Sequence, residues 1–223
     1  MVGLRLKTCL LLPLFGLLVA CDAADKERPN SASTPSPTAS EHDVTGYYYN
    51  SADVLTYLHP VRMFEEREVY TRSEGSLEVA HADTYNLVVT LHPLVLADDR
   101  AEVQQELVDQ ALLYGILKVF THTKVEWLDI QVTPRLAAPV SSEKAYEVVY
   151  LPEPRRHVAL SRAQAQAFLR AHTSARSFSD LVDTDKQWRH LRGADSLLYT
   201  QLYYTPGRPS QLALLLSKQY APK

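Results

Sequence analysis

The chain has 223 residues, is 46% hydrophobic and 22% charged, and carries a formal net charge of -3. Two cysteines and 7 glycines exclude disulfide-rich and collagen-like scaffolds, and the slight acidic excess argues against a basic nucleic-acid binder. What is left is one ordinary globular domain of under about 200 residues, large enough to bury a core.

The amino terminus carries the strongest local signal. Met1 to Lys7 holds Arg5 and Lys7, and Thr8 to Ala20 is an apolar run of 13 residues broken only by Pro13 and Gly16. A membrane-spanning helix needs roughly 20 apolar residues, so this run is too short. A basic start, a short apolar middle and small residues at the end predict a cleaved secretory signal over residues 1–20. The end of that stretch, Leu18-Val19-Ala20-Cys21, resembles the lipobox of bacterial lipoproteins. The resemblance implies that Cys21 is thioether-linked to diacylglycerol, cleaved from Ala20 and N-acylated, which anchors the chain to a membrane more than firmly enough. It also implies a periplasm-facing envelope protein. Asp22 directly after the cysteine favours the inner membrane, by the rule that enteric lipoproteins follow. With Cys9 lost with the signal and Cys21 acylated, the mature domain would contain no thiol, which excludes cysteine catalysis and cysteine-based zinc sites.

Residues 21–44 are then the acylated cysteine and a tether. This stretch holds Ser31, Ser33, Thr34, Pro35, Ser36, Pro37, Thr38 and Ser40 and almost no large apolar residue. Such a segment buries too little surface to offset its ordering entropy, and as a coil it would reach roughly 25 Å.

The domain is expected over 45–223. Tyr47-Tyr48-Tyr49 opens it, and Ser51 is placed to cap a short helix to Leu58, ahead of Pro60. Glu66–Arg72 and Leu77–Leu91 read as strands around Ser73-Glu74-Gly75-Ser76. In the second, Tyr85, Leu87, Val89 and Leu91 face one way, Asn86, Thr90 and His92 the other, and Pro93 marks its edge or end. A long helix is expected from about Arg100 to Thr121, capped by Asp99 with Glu102, its half from Ala111 to Phe120 apolar nearly all round and so crossing the core. Val125–Thr133 and Tyr146–Leu151 read as strands. Ser161 and Gln164 cap a helix to about Ala171 that buries Ala165, Phe168 and Leu169, and a third helix runs from Phe178 to Leu191, ended by Gly193. Leu197–Tyr204 and Gln211–Ser217 read as a β-hairpin across Thr205-Pro206-Gly207-Arg208-Pro209. The order ββαββααββ indicates an α+β domain, an antiparallel sheet with helices on one face.

Catalytic motifs are sparse. The domain's glycines (Gly46, Gly75, Gly115, Gly193, Gly207) are isolated, which excludes phosphate-cradling and dinucleotide loops. No Gly-x-Ser-x-Gly elbow, His-Glu-x-x-His helix or EF-hand occurs, and no cofactor or metal is implied. His81 and Asp83 share a strand face, with His92 at the strand's end; these form the best available acid/base or metal set. His122 suits a helix C-terminus and His172 continues the apolar stripe of its helix. Asp183-Thr184-Asp185 is an acidic turn.

Charge is distributed unevenly. Thr45–Pro154 holds 8 basic against 17 acidic residues, and Arg155–Arg192 holds 8 against 3. Arg155, Arg156, Arg162 and Arg170 therefore form a candidate interaction surface toward anionic lipid or an acidic partner; the competing reading pairs them with the acidic half of the same domain. Tyr47, Tyr48 and Tyr49 are candidates for amphipathic contacts or for sheet edges. The reading that follows is a non-catalytic lipid-anchored envelope protein, a binding or assembly accessory of an envelope complex such as secretion or conjugation machinery. It would hold to the membrane through Cys21, contact an envelope protein partner and bind no nucleic acid. The alternatives are an envelope hydrolase using His81, Asp83 and His92, and a periplasmic small-ligand or lipid carrier with an apolar cavity.

Overall fold

The computed structural model describes residues 46–66, 70–136, 148–183 and 196–222. The expected signal and tether, Cys21 among them, lie outside these residues, as do 143–147 and the segment 184–195 that contains Asp185, Arg189, Arg192 and Gly193. The chain is an α+β protein. In order, its elements are β1 (Tyr47–Tyr49), β2 (Leu55–Tyr57), α1 (Pro60–Glu66), β3 (Leu77–Ala82), β4 (Asn86–Leu91), β5 (Leu94–Val95), α2 (Ala101–His122) and β6 (Trp127–Val132). There follow β7 (Arg135–Leu136), β8 (Val149–Tyr150), β9 (Arg156–Ser161), α3 (Arg162–His172), a 3-10 turn (Phe178–Leu181), α4 (Leu197–Tyr204) and α5 (Arg208–Tyr220).

The principal sheet runs β3-β4-β6-β9. Its outer pairs are antiparallel, β3 with β4 as a hairpin, and its central pair, β4 with β6, is parallel because α2 connects them as a crossover. The sheet is therefore mixed where an antiparallel one was expected. Period-two patterning turns Leu87, Val89 and Leu91 of β4, Leu128, Ile130 and Val132 of β6, and Val158 and Leu160 of β9 toward the helices, all of them buried. The opposite face, with Thr90, Asp129, Gln131 and His157, is half-buried.

Helix α2 crosses that sheet with every residue from Ala111 to His122 buried, as its apolar circumference requires. It comes unusually close at Gly115, where an added Cβ would overlap Ile130 Cδ1 and lie 3.0 Å from Leu91 Cδ1. A glycine in a helix interior costs about 1 kcal/mol relative to alanine; here the cost is offset by contact between helix and sheet.

Beyond Leu91 and Val132 the parallel pair is interrupted and resumes as β5 and β7 in a second sheet, β5-β7-β8. Pro93 and Pro134 sit at the interruption, and proline has no N–H to give the ladder. The bonds Thr133 N to Leu91 O (3.1 Å) and Arg135 N to Pro93 O (2.9 Å) carry the chains across it. Pro93 thus ends β4, a central strand and not an edge.

Several local expectations are corrected. Ser51 caps no helix: residues 51–53 turn, β1 and β2 pair, and the helix starts at Pro60, where a fixed φ suits the first turn. The strand expected at Glu66–Arg72 is absent at its described ends, with Glu66 helical and Tyr70–Arg72 in bends and turns. Leu77–Leu91 is a hairpin, because the Asp83 carboxylate accepts from the backbone amides of Tyr85 and Asn86 (both 2.7 Å) and folds the chain back. Tyr85 consequently lies in the turn, 57% exposed. Asp99 does not cap α2; its carboxylate accepts from Leu96 N at 2.7 Å. Ser161 and Gln164 do form a reciprocal capping box on α3, with Ala165, Phe168 and Leu169 buried. The expected helix from Phe178 is a single 3-10 turn, with Val182 extended and 184–191 outside the described residues.

The expected C-terminal β-hairpin is a pair of helices. Pro209, Leu212, Ala213 and Leu216 are the buried residues of α5, a spacing of three and four. Gly207 precedes α5 at φ 72°, a left-handed conformation that glycine adopts without a Cβ penalty. None of the described helices is long and apolar enough to cross a membrane.

Candidate functional site

At one end of the principal sheet lies a cleft of about 430 Å³, within the size range of small-ligand sites. Three parts of the chain build it: Tyr48 to Thr56 from β1, β2 and their turn; Phe120 to Glu126 from the end of α2; and Arg162, Gln166 and Ser177–Ser179 from α3 and the 3-10 turn. Tyr85, from the β3–β4 turn, adds a further wall.

Arg162 is its structural pivot. As the first residue of α3 it points back across the end of α2, where carbonyls lack intrahelical partners. It donates through Nε to Val125 O (2.9 Å), through one terminal nitrogen to Phe120 O (2.6 Å) and through the other to Thr123 O (2.8 Å). Glu126 Oε1 lies 3.1 Å from Nε, and the guanidinium carbon sits 5.2 Å from the centre of the Phe120 ring and 5.9 Å from that of Phe178. Burial pulls the Arg162 pKa down and Glu126 opposes the change. Beside it, Lys124 is exposed, with its ammonium 5.0 Å above the Tyr48 ring.

Of the candidate interaction residues, Tyr48 and Arg162 are brought together here. Tyr47 packs edge-on against Tyr57 with centroids 6.2 Å apart, and Tyr49 is 43% exposed. Arg155 is exposed and donates to Gln131 Oε1 at 2.9 Å. Arg156 turns inward to Asp109 of α2 at 2.8 Å. Arg170 is exposed and donates to Arg176 O at 2.6 Å. The four arginines therefore do not form one continuous outward face: Arg156 and Arg162 are engaged by their own domain.

The His81, Asp83 and His92 set is divided. His81 Nε2 and Asp83 Oδ2 are 3.1 Å apart at the exposed turn. Hydrogen bonds from the amides of Tyr85 and Asn86 and the Asn86 side chain hold the Asp83 carboxyl well below the usual carboxylate range. His92 lies four residues beyond Val88, the strand partner of His81, and so roughly 13 Å along the strand. It is buried, with Nδ1 3.0 Å from Thr133 O and Nε2 3.4 Å from Glu78 Oε1. Burial pushes its pKa down. His122 is not an exposed terminal cation; it is 1% exposed and contacts Leu55 O at 2.9 Å through Nδ1. His172 is half-buried against the Phe168 ring. Asp183 is exposed, and the rest of its acidic turn lies outside the described residues.

Between α2, α3, α4 and α5 the apolar space amounts to about 20 Å³, room for about one water and not for a lipid chain. Lys124, Glu126, Phe120 and the Ser177–Ser179 pair escaped the sequence reading. Phe120 was legible only as part of the core helix, and the others fall in connections with no periodicity, where only Lys-Val-Glu after a helix end hints at an exposed charged turn. No family model, no curated protein and no solved structure matches the chain.

Proposed function

We propose that this chain is a lipid-anchored cell-envelope protein, held to a membrane through Cys21, that works by binding an envelope partner as an accessory or assembly factor. The observation that carries the binding reading is the cleft. It combines two tyrosine rings, Tyr48 and Tyr85, with an exposed lysine, and its carboxylate, Glu126, is paired with Arg162. Ring faces and a cation favour recognition. Leu18-Val19-Ala20-Cys21 supports the anchor and Asp22 supports the inner membrane, facing the periplasm. A tether of 23 residues, with a typical end-to-end distance of roughly 25 Å as a coil, would keep the domain near the bilayer.

Two measurements test this. Intact mass of the membrane-extracted protein is expected to show a chain beginning at an acylated Cys21, and C21S is expected to release it from the membrane. A photocrosslinker at position 48 is expected to capture one reproducible envelope protein, while the same probe at Leu214, an exposed site on α5, captures none. An unacylated chain beginning at Met1 overturns the anchor, and identical patterns from both positions overturn the docking role.

A further inference from the structure

Several hydrogen-bonding groups of the cleft are committed inside the protein. Asn50 Oδ1 takes the amides of Ala52 (2.9 Å) and Val54 (3.1 Å), and the carbonyls of Phe120, Thr123 and Val125 all take Arg162. Glu126 is held by the same guanidinium. Its two charged donors keep unused capacity. A guanidinium has five N–H groups, and the three carbonyl bonds of Arg162 leave two. Lys124 contributes an exposed ammonium whose contact is the Tyr48 ring face, which takes no hydrogen bond from it in the ordinary sense. The remaining capacity of these two cations favours a ligand that offers acceptors.

The charge balance narrows the class. Two cations, Lys124 and Arg162, face one carboxylate, Glu126, so one positive charge remains to be matched. That suits a single carboxylate better than the dianion of a phosphate monoester, whose second charge would lie uncompensated beside Glu126. Tyr48 and Tyr85 give the cleft ring surface, and its volume of about 430 Å³ accommodates two or three residues of peptide. We infer that the cleft binds a peptide segment through one carboxylate, seated between Lys124 and the remaining N–H groups of Arg162, with an adjoining apolar side chain against Tyr48 and Tyr85. The inference rests on reading the cleft as a docking surface, and is independent of acylation at Cys21.

The experiment uses the full-length chain in detergent micelles, with amide chemical shifts as the readout. The probes are N-acetyl-phenylalanyl-alanine with a free terminal carboxylate, the same dipeptide as its amide, N-acetyl-phenylalanyl-glutamate amide, and phenyl phosphate. A carboxylate probe is expected to shift amides around Lys124, Arg162 and Ser177 in a saturable way, with its amide counterpart at least about tenfold weaker, the scale of one lost charged hydrogen bond. Preference for the first probe identifies a chain terminus as the source, and preference for the third an acidic side chain. Lys124→Gln, an exposed substitution that leaves the Arg162 bonds in place, is expected to weaken the preferred probe about tenfold. Equal binding of acid and amide, tighter binding of phenyl phosphate, or no saturable shifts at the cleft would each overturn the inference. Crosslinking from position 48 reports on docking whatever the ligand, so the two failures are separable.

Discussion

Arg156 on β9 and Asp109 on α2 meet with Nε 2.8 Å from Oδ1, and the Asp109 side chain is only 1% exposed. The pair ties the basic stretch that begins at Arg155 to the acidic half of the same domain. Gln105 Nε2 gives the carboxylate a second bond at 3.0 Å. Burial nevertheless pushes the Asp109 carboxyl up, and Arg156 only partly offsets it.

Removing the arginine should therefore cost more than the pair is worth. R156M leaves a buried carboxylate without its cation and is expected to lower stability by about 3 kcal/mol at neutral pH. Because the folded-state pKa of Asp109 lies above its unfolded value near 3.8, its contribution is most favourable below that value and declines as pH rises through the folded pKa. The R156M deficit should accordingly shrink at pH 4, and D109N/R156M should recover most of it. Urea denaturation at both pH values checks this; an R156M deficit equal at both would contradict it.

Gly115 is the place where α2 touches the sheet. By intrinsic propensity alone G115A would add about 1 kcal/mol of helix stability. The overlap with Ile130 Cδ1 reverses the sign. G115A is expected to be neutral to destabilising and G115V destabilising by about 1–3 kcal/mol through overpacking. A shift of the urea midpoint at constant slope would confirm it, and a stabilised G115A would refute the close approach.

His92 sits where the two sheets join, facing Glu78, Arg135 and Thr133, with the Tyr150 ring centroid 4.2 Å away. Burial holds its folded pKa below the unfolded value of 6.5, so its neutral form supports the fold fully above that pH. Stability is expected to fall as pH drops from about 6.5 toward 5, and H92Q should flatten that part of the profile. A parallel profile for H92Q and the parent would remove His92 as the cause.

Arg162 acts on the end of α2 through three carbonyls, which a lysine cannot reach together. R162K is expected to destabilise by about 2 kcal/mol, the scale of charged hydrogen bonds lost. R170K, at an exposed site where the arginine donates to Arg176 O, should change stability by under about 0.5 kcal/mol. Thermal melts of the two variants side by side distinguish an arginine that builds the fold from one that decorates it.

The features legible beforehand were those set by a few adjacent residues. The alternation of Leu87, Val89 and Leu91, the Ser161–Gln164 capping box and the apolar girth of Ala111–Phe120 all appear in the fold as expected. The misreadings lie where one short apolar run fits two periods. Leu197–Tyr204 is rich in tyrosine and leucine and matches a strand by propensity, yet Tyr199 and Leu202 are buried at helical spacing. β9 was missed because Arg156 and His157 hide a strand whose inward residues are only Val158 and Leu160.

Composition, local periodicity and capping determined the fold class, the core helix and the α3 start, because each depends on neighbours within one or two turns of chain. The tertiary structure alone decided the parallel pairing of β4 with β6, the inward turn of Arg156 and Arg162, the parting of His92 from His81, and the cleft itself. Each of those joins residues dozens of positions apart, and which partners meet is settled by burying the whole core at once, a condition that no short window of sequence contains.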